Sequence, residues 1–186
     1  MAHHSFTSFD PSALDGLDLH GKLLGGIAPR PIAFASTVDA AGQPNLAPFS
    51  YFNVFSAHPP VVIFSPARRM KDNTTKHTLE NVLAVPEVVI NLVDFAMVHQ
   101  CSLASADFAR GVSEFSKAGL TPVASETVQP MRVAESPVQM ECKVLRVESL
   151  GETGGAGQLV VCEIQRLHFR SDVLNEQGQP DPNALD

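Results

Sequence analysis

The chain has 186 residues, 44% hydrophobic and 18% charged, with 12 Gly, 14 Pro, three Cys and no Trp. A single domain of this length buries about 70% of the surface its unfolded chain exposes, which excludes a disordered tail, a collagen-like repeat and a disulfide-scaffolded mini-protein. Thirteen Lys and Arg against 20 Asp and Glu give a formal net charge of −7, leaving little to set against a polyanion, so no nucleic-acid partner is expected.

The opening segment lacks the basic-then-apolar order of a signal peptide, and His3 and His4 are set aside as uninformative. Gly25-Gly26 and Ala28-Pro29-Arg30-Pro31 lead into Ile32 to Val38, which reads as a strand ended by the turn Asp39 to Gly42. Leu46 to Val54 reads as the next strand and Val61 to Ser65 as a third after His58-Pro59-Pro60. The three form an antiparallel meander with Phe34, Phe49, Phe52, Phe55 and Phe64 in its core. Pro48 inside the second strand predicts an edge or a bulge, where a missing amide proton costs least. Asp72 or Asn73 is expected to cap a helix from Thr74 to Val85, closed by Pro86, and Glu87 to Val93 reads as a β-branched strand. Asp94 can cap a second helix through Met97 to Leu103, and Val112 to Ala118 reads as a third before Gly119. Val138 to Leu150 and Gln158 to Phe169 flank a glycine-rich turn and predict a long hairpin. Strands interrupted by helices favour a β-barrel with helical decorations over a doubly wound sheet.

The longest apolar runs, Pro59 to Phe64 and Val88 to Val93, are far too short to cross a membrane, and a soluble cytoplasmic protein without membrane contact is expected. Cys101, Cys142 and Cys162 are odd in number and widely spaced, which argues against a disulfide framework. Gly155-Ala156-Gly157 lacks the full dinucleotide-loop spacing and joins two strands, so it reads as a turn. Neither a phosphate-binding P-loop motif nor a hydrolase nucleophile elbow occurs. His99 and Cys101 have no second ligand pair and read as helix packing, so no metal site is expected. His77 and Glu80 on one helix face could serve as acid and base but read as solvated surface.

The segment Arg68 to Thr75 at the expected helix start carries more. Open amides and the positive end of the helix dipole favour an anion, Arg69 and Lys71 add full charges, and Asn73, Thr74 and Thr75 can donate hydrogen bonds. The other reading is an ordinary capped surface helix. The interrupted strand Asn45-Leu46-Ala47-Pro48-Phe49-Ser50 beside an aromatic cluster tilts the balance, because phosphate at one end and a flat apolar ring at the other describe flavin mononucleotide (FMN).

The run from Pro29 to Val82, with Val88 to Val93 (VVINLV), Gly111 to Phe115 (GVSEF), Ala118 to Val123 (AGLTPV) and the ECKV to VVCEI hairpin, resembles the flavin reductase-like proteins of the FMN-binding split-barrel superfamily. The resemblance implies a mainly β fold with helices, a Greek-key antiparallel split β-barrel spanning residues 21–186 after an extension of residues 1–20. In relatives the chain continues past the position of Asp186 into a Gly-Gly and aromatic segment. Carried over by position, Ser36, Thr37 and Asn45 to Ser50 would contact the flavin ring and ribityl chain, and Arg69, Lys71, Asn73, Thr74 and Thr75 the phosphate; relatives have a shorter Lys-Asp-Thr form of that loop. The implied activity is an NAD(P)H-dependent flavin reductase binding FMN, or alternatively FAD, as a homodimer that passes electrons to free flavin, a partner oxygenase or another acceptor. Hydride transfer between NADH or NADPH and a flavin needs no side-chain base, so no catalytic side chain is assigned. The alternatives are an electron carrier without a nicotinamide site and a flavin-free interaction module.

Overall fold

A computed structural model describes residues 4–185, so His3 lies outside the described residues. The chain divides at Arg30 into two compact units. In the first, a short 3-10 turn over Pro11–Ala13 precedes helix α1 (Gly16–Gly26). Asp15 caps α1 by accepting from the amides of Leu17 and Asp18, both at 2.9 Å, and Lys22 pairs with Asp18 one turn away at 3.1 Å. No residue of α1 is buried. Four of its residues are glycines, poor helix formers, and the sequence reading has no helix there.

The second unit begins at Pro31. Its elements are β1 (Ala33–Val38), β2 (Pro44–Phe49), β3 (Phe52–Ala57), β4 (Pro60–Phe64), α2 (His77–Ala84), β5 (Glu87–Asn91), α3 (Val98–Ala104), α4 (Glu114–Ala118), the two-residue strands β6 (Pro122–Val123) and β7 (Arg132–Val133), β8 (Val138–Ser149) and β9 (Gln158–Phe169). Seven strands form one sheet in the order β2-β1-β5-β8-β9-β4-β3, every pair antiparallel. β2 and β3 are the two opposite edges of this sheet, yet only Ser50 and Tyr51 separate them in the chain. The sheet must therefore roll until its edges meet at that end while they remain unpaired elsewhere, which is a split barrel.

The expected single strand Leu46 to Val54 is thus two strands on opposite edges. Period-2 patterning runs through the junction and cannot mark a change of partner. Pro48 does sit on an edge, opposite Phe34. Ala33, Ala35, Phe49, Phe64, Val88 and Ile90 belong to the larger core cluster, against which Leu79 and Val82 of α2 pack. Residues of alternate parity, Phe34 and Leu46, turn to a second cluster with Ala104, Phe115 and Ala118 of α3 and α4. Phe52 is half-buried and Phe55, expected in the core, is 64% exposed on the β3 edge. Asp94 caps as expected, accepting from the Met97 amide, although the first turn it caps is 3-10.

The helix expected from Thr74 begins only at His77. Asn73 adopts φ 59°, the left-handed region, which no helix admits. Asp72 turns its carboxylate onto the amide and hydroxyl of Thr74, at 3.0 and 2.6 Å, and closes a local turn instead of capping α2. All three cysteines are buried and free.

Candidate functional site

β2 is a free edge, and its sequence shows how that edge is managed. Pro44 and Pro48 have no amide, and the Leu46 amide donates to Glu114 Oε2 at 3.1 Å instead of to a strand. By the alternation of an antiparallel ladder, the amides of Asn45, Ala47 and Phe49 face β1, and the carbonyls of Pro44, Leu46 and Pro48 face away from it. The outer edge of β2 is therefore a row of acceptors almost without donors.

An open pocket adjoins this edge, walled by Asn45, Ala47 and Pro48, by Lys76, His77 and Thr78 at the start of α2, and by Arg69. The segment after α3, from Ser105 to Phe108, and the buried Glu114 close the remaining side. Lys76 is the N-cap of α2 and makes no side-chain cap bond, while the amides of Leu79 and Glu80 both bond to its carbonyl. Among the described residues, the amides of His77 and Thr78 are left as the open donors of this helix, at the positive end of its dipole. Lys76 is half-buried, with Nζ 5.5 Å from the centroid of the Phe49 ring. Burial lowers its pKa, Arg69 lowers it further, and Asp107 opposes both. The Arg69 guanidinium donates to the Thr75 carbonyl and, at 3.3 Å, to the Thr74 hydroxyl, and its Nε stands 3.3 Å from Asp107. Two cations and a helix start thus converge on a pocket that an acceptor edge also lines.

Of the residues singled out from sequence, Asn45, Ala47, Pro48 and Arg69 come together here. Leu46 supports the wall through its bond to Glu114, Phe49 lies behind it beneath Lys76, and Ser50 is half-buried at the β2–β3 junction. Ser36 and Thr37 are fully buried in β1; the Thr37 hydroxyl accepts from Asn81 Nδ2 at 3.1 Å, and Ser36 Oγ has no partner among the described residues. Lys71 is exposed on the loop ahead of the pocket.

Asn73, Thr74 and Thr75 are occupied elsewhere. Asn73 accepts from Arg68 Nε at 2.8 Å and donates to the Glu152 carbonyl at 2.8 Å, tying this loop to the β8–β9 turn. Thr74 is held by Asp72, and Thr75 donates to Glu80 Oε1 at 2.6 Å. Sequence reading missed Lys76, Thr78, Asp107 and Glu114 as pocket residues. The available signal was Lys76-His77-Thr78 itself, three residues beyond the assumed helix start. Asn45 Nδ2 donates to Thr78 Oγ1 at 3.0 Å across 33 residues of chain, a link no local pattern encodes.

Residues 25–182 match the family model of the flavin reductase like domain. An uncharacterized protein of Halalkalibacterium halodurans is 36% identical over 179 residues, which cover 95% of this chain and 84% of that one. The fold is similar to that of nitrilotriacetate monooxygenase component B from Bacillus cereus, with a TM-score of 0.91 and 30% identity over 98% of this chain and 90% of the other. It is also similar to 2-nitrobenzoate 2-nitroreductase from Pseudomonas fluorescens, with a TM-score of 0.82 and 26% identity over 94% and 82% of the two chains.

Proposed function

The chain belongs to the flavin reductase-like family, and on that premise we propose that it is an FMN-binding oxidoreductase whose flavin is reduced by NADH or NADPH. The observation that carries the reading is the convergence of Arg69, Lys76 and the open amides of α2 on a pocket that the carbonyl edge of β2 also lines. The cationic end suits a phosphate. The carbonyl edge suits the N–H of a flat heterocycle, and Pro48 and Ala47 give that ring an apolar face. The residues present therefore fit FMN. One phosphate needs one cationic end, which favours FMN over FAD.

Bound flavin supplies hydride acceptance and onward delivery of electrons. In this reading Arg69 and Lys76 hold the phosphate, the β2 edge orients the ring, and the segment from Ser105 to Phe108 borders the phosphate end. The fold-level likeness to a protein named as a monooxygenase component supports an oxygenase as electron acceptor. We further propose a homodimer, because Val54 and Phe55 on the β3 edge are 63% and 64% exposed.

The test is a pair of titrations. Lys76→Ala is expected to weaken FMN about 10- to 100-fold, from the worth of a charge-assisted bond, and riboflavin little; Lys71→Ala is expected to change the ratio of the two affinities much less. Equal losses of both ligands in Lys76→Ala would remove Lys76 from the phosphate end. Under anaerobic conditions NADH or NADPH should bleach the bound flavin. If only dithionite does so, the chain is an electron carrier without a nicotinamide site.

A further inference from the structure

Arg69, which faces the anion in the proposed function, already has an anionic neighbour. Its Nε stands 3.3 Å from the Asp107 carboxylate, with the Arg69 side chain 21% exposed and that of Asp107 78% exposed. The guanidinium is fixed from within by the Thr75 carbonyl and the Thr74 hydroxyl, so of the two partners the carboxylate is the one free to leave. Asp107 belongs to the segment between α3 and α4, which is fastened at a second point where Arg110 pairs with Glu80 of α2 and lies 3.8 Å from Asp39. Both fastenings are ion pairs with substantial exposure, the kind that salt screens and a competing ion can replace. Asp107 also lines the pocket together with Lys76, and its charge favours the protonated form of that lysine against burial and Arg69.

We propose that Asp107 sets the charge selectivity of this subsite, acting as an intramolecular carboxylate that competes with the ligand's phosphate for Arg69 and Lys76. The inference rests on the phosphate reading given above and adds a residue that works against it. An incoming phosphate must either displace Asp107 from Arg69 or lie beside it, and each course weakens binding. An uncharged ligand of the same ring meets neither cost. The carboxylate therefore narrows the gap between phosphorylated and unphosphorylated flavin and keeps the phosphorylated form exchangeable.

FMN and riboflavin titrated into the flavin-free protein, at low and high ionic strength, test this. Asp107→Asn should tighten FMN about two- to fivefold at low salt, the range expected of one exposed ion pair, and leave riboflavin unchanged. The gain should shrink at high salt and also in an Arg69→Met background, where the two substitutions are coupled. An unchanged FMN-to-riboflavin ratio in Asp107→Asn, alongside a lowered ratio in Arg69→Met, overturns the proposal and leaves the phosphate reading standing. Weaker FMN binding in Asp107→Asn overturns it too, since the carboxylate would then be a clasp that the bound state needs. A ratio that neither substitution moves removes the phosphate from this end of the pocket, and the proposal falls with it.

Discussion

Glu141 is a fully buried carboxylate in β8, and its partners decide what that burial does. Burial alone raises its pKa, but the Thr127 hydroxyl at 2.5 Å, the amides of Glu126 and Thr127 at 2.9 and 2.6 Å, and His168 Nε2 at 2.7 Å outweigh burial and lower it to about 2. The folded pKa lies below the unfolded one, so this stabilisation is full above about pH 4.5 and is lost as pH falls through about 2. The difference is worth about 3 kcal/mol. Glu141→Gln should cost about 2–4 kcal/mol at pH 7, because the buried donors lose a charged acceptor. Urea unfolding from pH 7 to pH 2 should show a flatter pH dependence in the variant; equal slopes would mean that the carboxylate does not stay ionised in the fold. Sequence reading passed over Glu141, since its donors come from residues 126 and 127 and its histidine from β9. Arg69, Asn45 and Pro48 were legible, because each breaks a local expectation: a charge beside a helix start, or a polar residue or proline in a strand. Lys76 was not, because the backbone of Asn73 moves the helix start past it.

The hairpin of β8 and β9 was the element most legible in the sequence, as two long β-rich runs around a glycine-rich turn carry their own pairing signal. What the sequence did not show is that this turn supports the pocket. The Arg68 amide donates to the Ala156 carbonyl and the Gly155 amide to the Arg68 carbonyl, both at 3.0 Å. A Cβ at Gly154 would sit 2.9 Å from Met70 Cα and 3.1 Å from the Arg69 carbonyl oxygen. Both are backbone atoms, so relief requires the Arg69 loop or the β8–β9 turn itself to move. Gly154→Ala should therefore lower flavin affinity through Arg69 and reduce thermal stability by about 1–3 kcal/mol, the usual range for overpacking. Calorimetric melts and flavin titrations on the same preparation check it. Unchanged flavin affinity in a destabilised variant would show that the loop yields without moving Arg69.

At the scale of the whole molecule, the rolled sheet leaves its two edges with different fates. The β2 edge is blunted by two prolines and by Glu114, and it lines the pocket. β3 keeps an open edge, and its pairing with β4 shifts register between Val54 and Ser56, which places Phe55 at the irregularity. Such a bulge twists an edge away from continuous strand addition, so a second chain meeting β3 would pack against the side chains of Val54 and Phe55 and would not extend the sheet. Pro48 marked the β2 edge in sequence, but the β3 edge was not legible there, where Phe55 reads as core, because only the order of all seven strands makes β3 an edge. If the proposed homodimer uses this edge, Phe55→Asp should leave a monomer in light scattering at micromolar concentration, while the buried core and the far edge still fold. If the flavin site needs the second chain, the same substitution releases FMN and riboflavin alike, unlike the changes at Lys76 and Asp107, which act on the phosphate alone. A parent protein that scatters as a monomer with flavin bound would sink the dimer and leave the exposed Phe55 without a partner.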